Sequence, residues 1–127
     1  VTLQVNNAVH DDLNNGLDTS FPAGSILEIR TGTSPGVTAA ATGTLLGSIT
    51  LPTSPMAASA ANAKAIQNLW SATAGAGGTA GYFRLKNAAD TKRIDGTCGT
   101  SGADLNLSTT TIASGNTLTV TSYTFNT

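Results

Sequence analysis

Tyr82-Phe-Arg-Leu-Lys86, Asn87-Ala-Ala-Asp90 and Lys92-Arg-Ile-Asp-Gly-Thr-Cys98 follow one another as a strand, a four-residue turn and a returning strand. Phe83 and Leu85 alternate with Arg84 and Lys86, then Ile94, Gly96 and Cys98 take one face of the second arm. Alternation at period two is the mark of a half-buried strand, and a turn of this length joins antiparallel neighbours.

The same reading extends downstream. Gly99-Thr-Ser-Gly102 turns the chain again, and Ala103, Leu105 and Leu107 alternate with Asp104 and Asn106. Thr117 to Phe125 is β-branched and Thr-rich, with Leu118 and Val120 assigned to one face and Thr119, Thr121, Tyr123 and Phe125 to the other. Upstream, Leu27 and Ile29 alternate with Glu28 and Arg30 in a strand over 25–31. A second strand sets Leu45, Gly47, Ile49 and Leu51 against Leu46, Ser48 and Thr50, and Pro52 ends it. Gly32 to Gly43 is a loop by composition. Residues 53–79 read as a long compact loop holding a short strand or a turn of helix.

Short strands every ten to twelve residues predict an all-β fold, an antiparallel β-sandwich or jelly-roll-like barrel spanning 1–127 as a single domain. An N-terminal arm and short helix occupy residues 1–20. Val9, Leu13 and Leu17 fall at i, i+4 and i+8, Asn6 or Asn7 can cap the start, and Gly16 can end it. So short a helix is marginal alone and is expected to pack on the domain.

Thr, Ala, Gly, Ser and Asn make up most of the 127 residues, only 10% are charged, and the formal net charge is −1. That balance gives no counterion-release drive, so nucleic acid is not an expected partner. No apolar run reaches membrane-spanning length, so no membrane is expected either. The opening residues have neither a basic nor an apolar signal-peptide region, and none is expected in the chain as given. The lone Cys98 admits no intrachain disulfide or Cys-based zinc site and reads as a small buried hydrophobe.

Catalytic constellations are thin. His10, the one histidine, sits beside Asp11 and Asp12, but adjacent helical positions point about 100° apart, so neither orients the ring. Glu28 and Asp104 fall on outward strand positions without an aromatic platform for a sugar. Gly75 to Gly81 is Gly-rich but precedes a strand and lacks the P-loop lysine. No catalytic, metal or cofactor residue is expected. Two features suit binding instead. Arg84, Lys86, Lys92 and Arg93 gather four cations on one hairpin, interleaved with Asp90 and Asp95, either as cross-strand ion pairs or as a docking patch for an acidic surface. The alternating arm with Val1, Leu3 and Val5 suits strand addition to a neighbour or pairing within its own domain.

Gly78-Thr-Ala-Gly-Tyr-Phe-Arg-Leu85, Ile94-Asp-Gly-Thr-Cys-Gly-Thr-Ser-Gly-Ala-Asp-Leu-Asn-Leu107 and Gly115-Asn-Thr-Leu-Thr-Val-Thr-Ser-Tyr-Thr-Phe125 resemble a family of small virion proteins of tailed bacteriophages. Leu27-Glu-Ile-Arg-Thr-Gly32 and Ala41-Thr-Gly-Thr-Leu-Leu46 extend the resemblance over roughly 25–52 and 78–127, while Ala57 to Ser71 departs from it. The resemblance implies a head-decoration (cement) protein on the capsid surface, oligomeric on the virion, with the major capsid protein and neighbouring copies of itself as partners. The alternatives are a neck, tail or fibre-associated virion protein, and a carbohydrate-binding or adhesin sandwich using Trp70, Tyr82 and Tyr123 as a sugar platform.

Overall fold

A computed structural model describes residue 4, residues 6–61 and residues 63–125. Asn6 caps helix α1 (Asn7–Asn15), its side-chain oxygen accepting from the Val9 N–H at 3.1 Å. Gly16 ends that helix and leads into the single turn α2 (Leu17–Ser20). Ten short strands follow among the described residues: β1 (Ile26–Arg30), β2 (Leu45–Thr50), β3 (Lys64–Ala65), β4 (Ser71–Thr73), β5 (Gly78–Thr79), β6 (Tyr82–Lys86), β7 (Arg93–Gly99), β8 (Leu105–Leu107), β9 (Thr111–Ile112) and β10 (Thr117–Phe125). The fold is mostly β with a short helical segment at the start, as the alternation predicts.

One sheet runs in the order β2-β1-β6-β7-β8-β10-β3, with β4 also paired to β10, and β5 and β9 form a separate ribbon. The sheet curls. Its ends approach where the Gly75 N–H donates to the Leu46 carbonyl at 2.8 Å, carrying the chain after β4 onto β2. Gly47 belongs to that approach, since a Cβ there would lie 2.4 Å from Leu118 Cδ1. Inside the curl pack Leu27, Ile29, Leu46, Ile49, Trp70, Phe83, Leu85, Leu105, Leu107 and Leu118, with Tyr123 edge-on to Phe83.

Two β-bulges redirect side chains that strict alternation misassigns. The β1–β2 register steps from Ile29↔Gly47 to Arg30↔Leu45, leaving Leu46 as the extra residue. Leu46 therefore turns into the core at 0% exposure while Leu45 faces out at 37%. On β10 the register with β8 steps from Val120↔Leu107 to Ser122↔Asn106, so Leu118, Val120 and then Tyr123 all point inward. Tyr123 thus joins the face that the sequence pattern gives to Leu118.

The pairing also departs from all-antiparallel. β7 and β8 run parallel over Cys98↔Leu105 and Gly99↔Asn106. The short link between them doubles back along β7, held by the Asp104 carboxylate accepting from the Thr97 N–H and by the Asp104 N–H donating to Thr97 Oγ1. Within 53–79 the described residues form β3, β4 and β5 rather than a helix, and outside these strands lie isolated bridges such as Met56↔Ile66.

Candidate functional site

The outer face of the central strands is built from charged rows. Across β1, β6 and β7, Glu28 faces Arg84 and Arg84 faces Asp95. On the row below, Lys86 faces Arg93. Opposite charges one strand apart attract, and each cation here finds an acid of its own chain. Arg84 takes both Asp95 oxygens, Nε at 2.8 Å and an Nη at 2.9 Å. Arg30 and Lys86 reach Glu28 at 3.1 and 3.2 Å, and Arg93 grips Asp90 at 2.8 Å.

These cations also fasten the loop over 31–44. Arg84 donates to the Ala39 and Gly36 carbonyls at 2.9 Å each, and Arg93 donates to Val37 at 3.1 Å. Tyr82 Oη donates to the Thr42 carbonyl at 2.7 Å and accepts from the Thr42 N–H at 3.0 Å. The loop thereby buries Tyr82 and Arg84, whose alternation alone would leave them on a solvated face. Burial pushes the Asp95 carboxyl up, but hydrogen bonds from Arg84 and Ser34 and the nearby guanidinium charges outweigh it, holding the group below the ordinary carboxylate range. The Arg84 guanidinium is held above its ordinary value by the same pair.

Of the predicted docking residues, then, Arg84, Lys86 and Arg93 are brought onto one face, with Arg84 buried and its guanidinium committed to Asp95 and the loop. Lys92 is exposed at the end of the hairpin. Arg93 borders an open cleft of about 370 Å³ with Val37, Thr38, Asp90 and Thr91. Val1, Leu3 and Val5 lie outside the described residues. The sugar platform is not formed: Trp70, Tyr82 and Tyr123 are all buried, and Trp70 Nε1 donates to the Pro55 carbonyl at 3.0 Å inside the core. Cys98 packs against that core, and burial, with the Asp104 charge behind it, pushes its thiol up to about 12.

The second cluster is one that the strand patterns do not reveal. Helix α1 docks polar side down. Asn14 Nδ2 donates to Ser59 Oγ at 3.1 Å, Ser59 Oγ donates to Asp11 at 2.6 Å, and the Ser59 N–H donates to Asn15 Oδ1 at 2.8 Å. Lys64 on β3 is fully buried, and its Nζ donates to Asn15 Oδ1, Asp18 Oδ2 and the Ala57 carbonyl at 2.9, 3.0 and 2.8 Å. Leu17 is buried, as its stripe predicts, but Val9 and Leu13 of the same stripe face out at 42% and 57% exposure. A signal for this cluster does exist in the sequence: Lys64 is the sole charged residue between Arg30 and Arg84.

Comparison with known proteins adds no assignment: no protein-family model, curated protein or solved structure matches the chain.

Proposed function

We propose that this is a structural protein of a tailed-bacteriophage virion that binds and stabilises the capsid lattice from its outer surface, acting by adhesion and not by catalysis. The observation that carries the reading is the inverted helix: Asp11, Asn14 and Asn15 turn onto Ser59 and Lys64, while Val9 and Leu13 are left exposed for something else to cover. An apolar helix stripe presented outward is a contact surface. Charge supports the same reading. Five of the six cations sit in ion pairs within the chain among the described residues, so recognition falls to shape, backbone and small polar groups. Many copies on a repeating shell offset weak individual contacts.

In the same reading the curled sheet is a barrel-like sandwich whose seam is the β2–β4 approach, a closed body suited to a static role. Its partners are the major capsid protein and neighbouring copies of itself. Quantitative mass spectrometry of purified particles tests the proposal. Copies in fixed ratio to the major capsid protein, numbering in the hundreds, are expected on about this scale for a lattice-wide decoration. A handful per particle would move the protein to the neck, tail or fibres, and none would overturn the virion reading.

A further inference from the structure

We propose that Lys64 and Asn15 join through an intramolecular isopeptide bond, with Asp18 as the proton acceptor and the Ser59 N–H as the oxyanion donor. A buried lysine is costly unless its charge is met, and this one is fully buried against an amide, a carboxylate and a main-chain carbonyl. The amide and carboxylate are the two groups that amide exchange needs beside an amine. Asn15 Oδ1 accepts from both Lys64 Nζ at 2.9 Å and the Ser59 N–H at 2.8 Å, which draws electron density from Cγ and keeps the amine beside the amide. Asp18 Oδ2, 3.0 Å from Nζ, is placed to take a proton from the ammonium. The arrangement holds amine and amide at contact range, where effective concentration replaces collision.

The step balances without any oxidant or cofactor. Lys64 passes one proton to Asp18, and the freed lone pair on Nζ attacks Asn15 Cγ. The carbonyl π pair moves onto Oδ1, facing the Ser59 N–H. The attacking nitrogen then passes a proton to Nδ2, the pair on Oδ1 returns to re-form the carbonyl as the Cγ–Nδ2 bond breaks with its electrons on nitrogen, and ammonia leaves. A secondary amide links Nζ to Cγ, and Asp18 gives its proton back to solvent. The bond ties the helix to β3, and through the Phe125↔Lys64 pairing to β10. The inference is independent of the capsid reading.

One rival also expels ammonia. Asn15 precedes Gly16, and attack by the Gly16 nitrogen on Cγ would give a succinimide. In the fold the Gly16 N–H is instead engaged with the Leu13 carbonyl at 3.2 Å in a helical conformation. Intact mass of the purified full chain, followed by protease mapping, separates the possibilities. The expected result is a mass lower than the sequence by one ammonia, with a branched peptide joining the segments around Asn15 and Lys64. Asp18→Asn should keep the fold and restore the full mass in most molecules, and Lys64→Met should restore it in all. A full wild-type mass overturns the proposal, and so does a deficit with linear peptides only, the succinimide outcome.

Discussion

Arg84 and Asp95 face each other across β6 and β7, and the guanidinium that closes on both carboxylate oxygens also holds two carbonyls of the loop over 31–44. One side chain thus ties sheet and loop together. Side-chain exposures of 3% and 5% make the pair an interior one. Removing one partner of a buried pair strands the other, so Arg84→Ala should cost about 3–5 kcal/mol, whereas Arg84→Met with Asp95→Leu should recover more than half of that loss. Urea unfolding of the wild type, Arg84→Ala, the single variants Arg84→Met and Asp95→Leu, and their double variant measures it. Additive single losses would show that the two residues do not act as a pair.

The same carboxylate predicts an acid limb. Its folded value lies below the ordinary one, so the pair contributes stability that is present above about pH 4 and is lost as pH falls through the folded value. Denaturation midpoints taken from pH 7 to pH 2 should decline on the acid side. In Asp95→Asn the curve starts lower and declines less over that window. An equal acid decline in both proteins would remove Asp95 from the account.

Trp70 is the one tryptophan, fully buried, 6.0 Å from the Tyr123 ring. Its fluorescence should be blue-shifted in the native state and move red on unfolding. Trp70→Ala should cost about 3–5 kcal/mol by opening the core, with Trp70→Phe losing less. Native emission at the wavelength of free tryptophan in water would contradict this placement.

Gly81 and Gly75 give a paired test of close approach. A Cβ on Gly81 would lie 2.0 Å from the Gly32 carbonyl oxygen, a main-chain atom that cannot swing aside, whereas a Cβ on Gly75 meets nothing within 4 Å. Gly81→Ala should cost about 3 kcal/mol, and Gly75→Ala should stay within about 0.5 kcal/mol of wild type, both read from thermal unfolding. Equal effects would mean that β6 does not enter the sheet as closely beside Gly32 as described.

Much of this fold is legible in the residues because local signals agree with the tertiary structure. Asn6 and Gly16 bound the first helix, and the alternation around Phe83 and Ile94 places both arms of the central hairpin. Where reading fails, an added residue or a distant loop changes the face. The bulges at Leu46 and before Ser122 shift the alternation by one, which period-two counting cannot register. Arg84 is polar and flanked by apolar neighbours, so it reads as solvated until the loop carrying Gly36 and Ala39 is seen to cover it. Helix α1 misleads differently: its apolar stripe is real, but Ser59 and Lys64 claim the opposite face, and their segment has too little periodicity to foretell that meeting.

β10 bonds to β8, β4 and β3, partners far from it in the chain as well as near. The hairpins β1–β2 and β6–β7 can form from local sequence as soon as they are made, but each leaves an unpaired edge. The two hairpins close on each other through β1 and β6, but β8, β4 and β3 gain their common neighbour only when residues 117–125 arrive. Folding is therefore a late event, limited by long-range closure and expected in the millisecond-to-second range that such topologies share. Until then the chain carries open strand edges, and its most vulnerable moment is the interval before its last described strand is in place.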